Sequence, residues 1–294
     1  MSRGELVCND VSKRYGKKEV LHKINLTLES GKIYGMIGRN GAGKTTLLSI
    51  MSAQNPLSEG SVKLDDETVW ENKKMLDQIC FSRELATGSN AGSGLKVKEF
   101  LKVASIYYPN WDAALAAELV EKFELQPKDR INKLSKGMTS MVTIIVALAS
   151  RAKFTFLDEP VAGLDVIMRE LFYKTLLQEF AKNQRTFVIS THIIQEAADL
   201  FEEVILIDKG KLMLKENTQN LVERAVRISG REEVVKEAIA GFSQEQCHSF
   251  ETVGRSKGVT VLLEQGQKLP EGYDVTIQPL NLQNVFVALG GMEE

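Results

Sequence analysis

The 294-residue chain carries 37 Lys and Arg against 39 Asp and Glu, a net charge of -2 at pH 7. That balance supplies no global attraction to nucleic acid or to an anionic membrane surface, so no nucleic-acid partner is expected. The three separated cysteines, Cys8, Cys80 and Cys247, suit a reducing compartment and neither a disulfide framework nor a metal cluster.

In chain order, Leu6-Val7-Cys8, the alternating run Ile24-Asn25-Leu26-Thr27-Leu28 and Ser61-Val62-Lys63-Leu64 read as half-buried antiparallel strands. Between them, Ile33-Tyr34-Gly35-Met36-Ile37 reads as a short buried strand, and Thr46 onward as a helix. The loop joining them, Gly38-Arg39-Asn40-Gly41-Ala42-Gly43-Lys44-Thr45-Thr46, has the glycine, lysine and threonine spacing of a cradle for the phosphates of ATP or GTP. Gly41 and Gly43 let backbone N–H groups converge on phosphate oxygens, Lys44 neutralises the β/γ oxygens, and Thr45 is a ligand for Mg²⁺.

From about Glu84 to Ser150 the periodicity turns helical. Val97, Phe100, Leu101 and Ala104 share a face, and Asp112 is placed to cap a helix carrying Leu115, Leu119 and Phe123. The apolar runs Phe154-Thr155-Phe156-Leu157, Thr186-Phe187-Val188-Ile189 and Val204-Ile205-Leu206-Ile207 follow, separated by helical patterns, as expected of parallel strands buried on both faces. The tail from about Thr218 alternates strand-like and helix-like patches, and its size suggests a marginal α+β unit leaning on a partner surface. The longest apolar helical stretch, 141–149, falls well short of the roughly 20 residues that span a bilayer, and no signal-peptide pattern opens the chain, which is expected to be soluble by itself.

Asp158-Glu159 ends the first of those runs, where ligands gather outside the carboxyl ends of α/β strands. Asp158 suits a Mg²⁺ held through water, and Glu159 is the natural base for an attacking water. Upstream, Leu134-Ser135-Lys136-Gly137-Met138 resembles the LSGGQ signature of ATP-binding cassette (ABC) ATPases and lies about 20 residues before the acidic pair, as it does in that family.

The resemblance covers about residues 4 to 215. It implies a P-loop α/β core with an antiparallel subdomain and a helical insert: an ATPase unit over 1–217, its core about 1–83 and 151–217 with the helices about 84–150, and an accessory α+β unit over 218–294. It further implies that Ser135 and Gly137 act on the γ-phosphate held by an opposing subunit. Tyr15 falls at the adenine-stacking position, Asp165 in the Gly163-Leu164-Asp165 loop through which subunits sense each other, and His192 at the switch histidine. Glu84 aligns where the family carries a glutamine that ligates Mg²⁺ or water, and Lys136 replaces the first signature glycine. His22 and His248 match nothing.

The same resemblance implies ATP and Mg²⁺ as cofactors and head-to-tail pairing with a second ATPase subunit, identical or related. The expected partner is a transmembrane permease at the cytoplasmic face of the membrane. The signature variant, the segment Tyr107-Tyr108-Pro109-Asn110-Trp111-Asp112 and the end 280–286 look like ABC-2-type exporters of peptides or drugs in Gram-positive bacteria, including phenol-soluble-modulin exporters. The alternative weighed beside it is a low-turnover regulatory subunit of a heterodimeric transporter. A non-transport ABC ATPase would be expected to carry a tandem cassette or a long coiled coil.

Overall fold

The computed structural model describes residues 4–85, 94–253, 256–264 and 266–290. Strands β1 (Glu5–Tyr15) and β2 (Lys18–Glu29) form a long antiparallel hairpin. It is longer than its short alternating patches suggest, because register shifts between Cys8 and Arg14 break the period of two. Strand β3 (Ile33–Ile37) leads through the glycine loop into α1 (Lys44–Met51). Then β4 (Glu59–Leu64) and β5 (Glu67–Thr68) complete a four-stranded antiparallel sheet in the order β2-β1-β4-β5. A single-turn helix α2 (Lys73–Leu76) precedes β6 (Ile79–Ser82).

Helices α3 (Val97–Tyr107), α4 (Ala113–Lys122) and α5 (Lys136–Ala149) follow. Asp112 caps α4 by accepting from the Leu115 N–H at 2.8 Å, satisfying one of the donors that a helix start leaves free. Its other carboxylate oxygen takes Arg151 Nη2 at 2.6 Å, and Arg151 also pairs with the buried Glu179. Helix α5 reads apolar all round because it is buried nearly all round, with Val142, Ile144, Ile145 and Leu148 inaccessible to solvent.

Strand β7 (Phe154–Asp158), α6 (Val166–Asn183), β8 (Thr186–Ser190), α7 (Ile194–Ala197), β9 (Glu203–Asp208) and β10 (Lys211–Asn217) complete a six-stranded sheet in the order β10-β9-β3-β8-β7-β6, parallel except for β10. Every residue of β3, β7 and β8 is buried. Successive side chains serve opposite layers. Tyr34, Met36, Phe154, Phe156 and Val188 pack with α1 and the antiparallel sheet, whereas Ile33, Ile37, Leu157, Phe187 and Ile189 pack with α5 and α6. Two cores on two faces explain runs that are apolar throughout rather than alternating.

The tail forms α8 (Thr218–Glu223), β11 (Ala225–Arg231), α9 (Glu232–Ala238), β12 (Cys247–Val253), β13 (Ser256–Leu262), β14 (Val275–Pro279) and α10 (Leu282–Leu289). Its antiparallel sheet, in the order β12-β13-β11-β14, has a small core of its own around Ile228, Val235, Val259 and Val261. Its support comes from this chain: Leu221, Leu282 and Val285 join the larger core beside Ile37, Val204 and Leu206. The apolar stripe of α10 is thus covered by the chain's own sheet.

Candidate functional site

The carboxyl ends of β3, β8 and β7 lie side by side, and each delivers part of one cluster. Beyond β3 the backbone turns through Gly41 (φ +83°) and Gly43 (φ +106°) before α1 begins at Lys44. Both angles lie in the left-handed region open to glycine, and a Cβ on Gly43 would stand 2.7 Å from Leu21 Cδ2 on β2. The N-terminus of α1 has no side-chain cap, so its N–H groups remain available to an anion. Ala42 is buried and anchors the loop by accepting from the Gly210 N–H at 3.0 Å, while Asn40 is exposed and Thr46 half-buried.

Lys44 is buried and curls back over the loop, donating to the Gly38 carbonyl at 2.6 Å, with Nζ 3.9 Å from Glu159 Oε1. Burial lowers its pKa, against the pull of Glu159 and Asp158, so a further anion would be well compensated there. Asp158, at the end of β7, is also buried. Its Oδ2 accepts from Thr45 Oγ1 at 2.7 Å and its Oδ1 from Ser190 Oγ at 2.6 Å. One hydroxyl and one carboxylate in contact form a donor set that fits Mg²⁺, which keeps several waters and takes one or two protein oxygens beside substrate phosphates.

Glu159 adopts φ +48°, outside the usual range for a residue with a side chain. Ser190 holds it there: the Glu159 N–H donates to Ser190 Oγ at 3.0 Å and to the Ser190 carbonyl at 3.1 Å. The strained turn aims the carboxylate at His192, whose Nδ1 lies 2.7 Å from Oε2. Ser190 is thus the shared bracket of both acids, a role that sequence reasoning missed. Its signal was a polar residue closing a buried strand whose middle, Phe187-Val188-Ile189, is apolar.

The remaining residues lie in other groups. Ser135 caps α5, accepting from the Met138 N–H at 3.2 Å, and is exposed. Gly137 fits closely against the 161–165 loop, where a Cβ would come within 2.7 Å of the Gly163 carbonyl oxygen. Asp165 caps α6 through the Met168 N–H at 2.9 Å and is followed by the exposed Val166 and Ile167. Tyr15 ends β1 half-exposed, with its hydroxyl accepting from Asn55 and Lys13 Nζ 4.8 Å from its ring centroid. Glu84 pairs with Lys136 Nζ at 3.1 Å. Lys136 therefore has an acidic partner instead of facing solvent alone. In 107–112 the aromatics divide: Tyr107 is exposed, whereas Tyr108 and Trp111 pack against the core. His22 stands 3.6 Å from Glu19, and His248 is half-buried with Nε2 unpartnered.

Comparison with known proteins gives this arrangement a family. The ABC transporter family model matches residues 21–162. The chain is 31% identical over 219 residues to the aliphatic sulfonates import ATP-binding protein SsuB of Albidiferax ferrireducens, covering 73% of this chain and 75% of that one. It is 28% identical over 304 residues to the Nod factor export ATP-binding protein I of Burkholderia orbicola, covering 100% of this chain and 99% of the relative. Its fold matches the dimeric, post-hydrolysis structure of the ATP-binding cassette MJ0796 bound to ADP and Pi, with a TM-score of 0.62 and 23% identity over 72% of this chain and 98% of the other. The glycine loop, the acidic strand end and these relatives lead to one conclusion: the chain belongs to the ATP-binding proteins of ABC transporters.

Proposed function

We propose that this chain is the ATP-hydrolysing subunit of a membrane exporter, working as a head-to-tail pair with a second copy or a close relative. The observation that carries the reading is the convergence of Lys44, Asp158, Glu159 and His192 on one glycine loop at three adjacent strand ends. Bound ATP supplies the phosphoanhydride to be cleaved, and Mg²⁺ neutralises its phosphate charge. The N–H groups after Gly41 and Gly43 receive phosphate oxygens, and Lys44 exchanges its carbonyl contact for them. Thr45 and Asp158 would hold the ion, and the Tyr15 ring would take the adenine. Glu159 accepts the proton of the attacking water on a carboxylate oxygen while His192 Nδ1 fixes its orientation.

Pairing in this reading brings a second copy to the cluster. Ser135 and Gly137 at the start of α5 meet the nucleotide of the opposing copy, and Asp165 lies at the seam. The exposed Val166 and Ile167 beside Asp165 supply apolar surface for that seam. Residues 1–217 serve as the ATPase unit and 218–294 as an accessory unit.

Export is favoured because the Nod factor export relative aligns across the tail as well, whereas the sulfonate import relative spans only 73% of the chain. The helical segment docks on a transmembrane permease at the cytoplasmic face of the membrane, with the exposed Ile106 and Tyr107 at the end of α3 as contacts. The signature variant and the 107–112 segment favour an ABC-2-type exporter of peptides or drugs. The experiment is Glu159→Gln: ATP binding persists, while steady-state hydrolysis falls by roughly 10²- to 10⁴-fold. Unchanged turnover would remove Glu159 as the base.

A further inference from the structure

Lys136 is the first residue of α5, directly after the capping Ser135, and it touches two other segments. Its aliphatic stem lies over Gly163, where a Cβ would stand 2.8 Å from Lys136 Cγ and 3.1 Å from Cδ. Gly163, at φ +83°, thus gives the stem a seat that a side chain would fill. Its ammonium reaches Glu84 Oε2 at 3.1 Å. Glu84 follows β6, which is tied to α5 by Ser82 Oγ donating to the Thr143 carbonyl at 3.1 Å. One lysine thereby joins the exit of β6, the start of α5 and the loop that follows Glu159.

Glu84 and Lys136 are also two of the three positions at which this chain departs from the residues of its resemblance, Met138 being the third, and the structure brings these two together with opposite charges. Their side chains are 44% and 52% exposed. An ion pair so open to water is held by no more than about a factor of five in equilibrium, so a competing anion of higher charge displaces it easily.

We propose that the Glu84–Lys136 pair is a charge latch on subunit closure: Glu84 retains the Lys136 ammonium within its own copy until the triphosphate carried by a second copy takes it over. The inference rests on the head-to-tail reading given above. Glu84 sets a threshold for closure, and Lys136 is a positioning residue whose charge moves from a neighbour in its own chain to the nucleotide across the seam. The stem over Gly163 passes that movement to the loop between Glu159 and Asp165.

The test uses the full chain in a Glu159→Gln background and reads the ATP concentration that gives half-maximal dimer by sedimentation velocity. Glu84→Gln keeps size and an oxygen acceptor while removing the charge, and it lowers that concentration about three- to fivefold. Lys136→Met keeps a stem over Gly163 and raises it. In the double variant Glu84→Gln gives no further gain, a dependence that a structural role for either residue alone would not produce. A gain of the same size with and without Lys136, or no gain at all, overturns the latch while leaving head-to-tail pairing in place. Failure of the Glu159→Gln chain to pair at any ATP concentration removes both.

Discussion

Thr45→Val isolates the contact at which we propose that Mg²⁺ is held. Valine has nearly the shape of threonine, so the substitution removes the Oγ1 donor at 2.7 Å from Asp158 and little else. Hydrogen bonds to a charged group contribute about 1.5 to 3 kcal/mol when protected. Asp158 is buried but Thr45 is exposed, so water takes up part of the loss, and about 1 to 2 kcal/mol is expected without nucleotide. In a chain of this size that corresponds to a fall in Tm of about 1.5 to 3 °C. The larger effect concerns cofactors. Wild-type affinity for ATP, measured by calorimetry, rises on adding Mg²⁺ to a chelated sample, and Thr45→Val flattens that rise while Thr45→Ser retains it. A Thr45→Val protein with wild-type Tm and wild-type Mg²⁺ dependence would refute the reasoning.

Hydrogen bonding from the Leu115 N–H, and then the Arg151 guanidinium, hold the Asp112 carboxyl below the usual carboxylate range. A depressed carboxylate contributes stability that is present above its unfolded value of about 3.9 and lost as pH falls through the folded value. Asp112→Asn keeps the cap and removes the charge, so its denaturant midpoint changes less than wild type between pH 5 and 3. Asp112→Ala loses the cap as well and costs about 1 to 2 kcal/mol at pH 7. Leu282→Ala removes buried apolar volume where α10 meets the main sheet and costs about 2 to 4 kcal/mol by urea unfolding. If α10 were only loosely attached, the loss would fall below 1 kcal/mol.

Much of the site was legible because two of its parts, 38–46 and 158–159, are contiguous runs whose residue types suit a bound anion. The glycine loop sits between a strand and a helix, and the acids close an apolar strand, so placement follows from topology once the sheet is recognised. The clean division of Ile33 and Ile37 from Tyr34 and Met36 was hidden, because a strand buried on both faces carries no polar alternation. Ser190 escaped notice because its role is to hold two residues more than 30 positions away. The Glu84–Lys136 pair was illegible for the same reason, each residue looking like an isolated departure until the fold set them 3.1 Å apart. Nor does an apolar stripe such as that of α10 state whether its cover is a partner or the same chain.

The central claim is that nucleotide bound to one copy is completed by the exposed Ser135 start of α5 in another. Sedimentation velocity of the Glu159→Gln protein saturated with Mg-ATP tests it most directly. A nucleotide-dependent dimer that Ser135→Arg abolishes without loss of ATP binding is the result expected; a species that stays monomeric with ATP demonstrably bound would contradict the account.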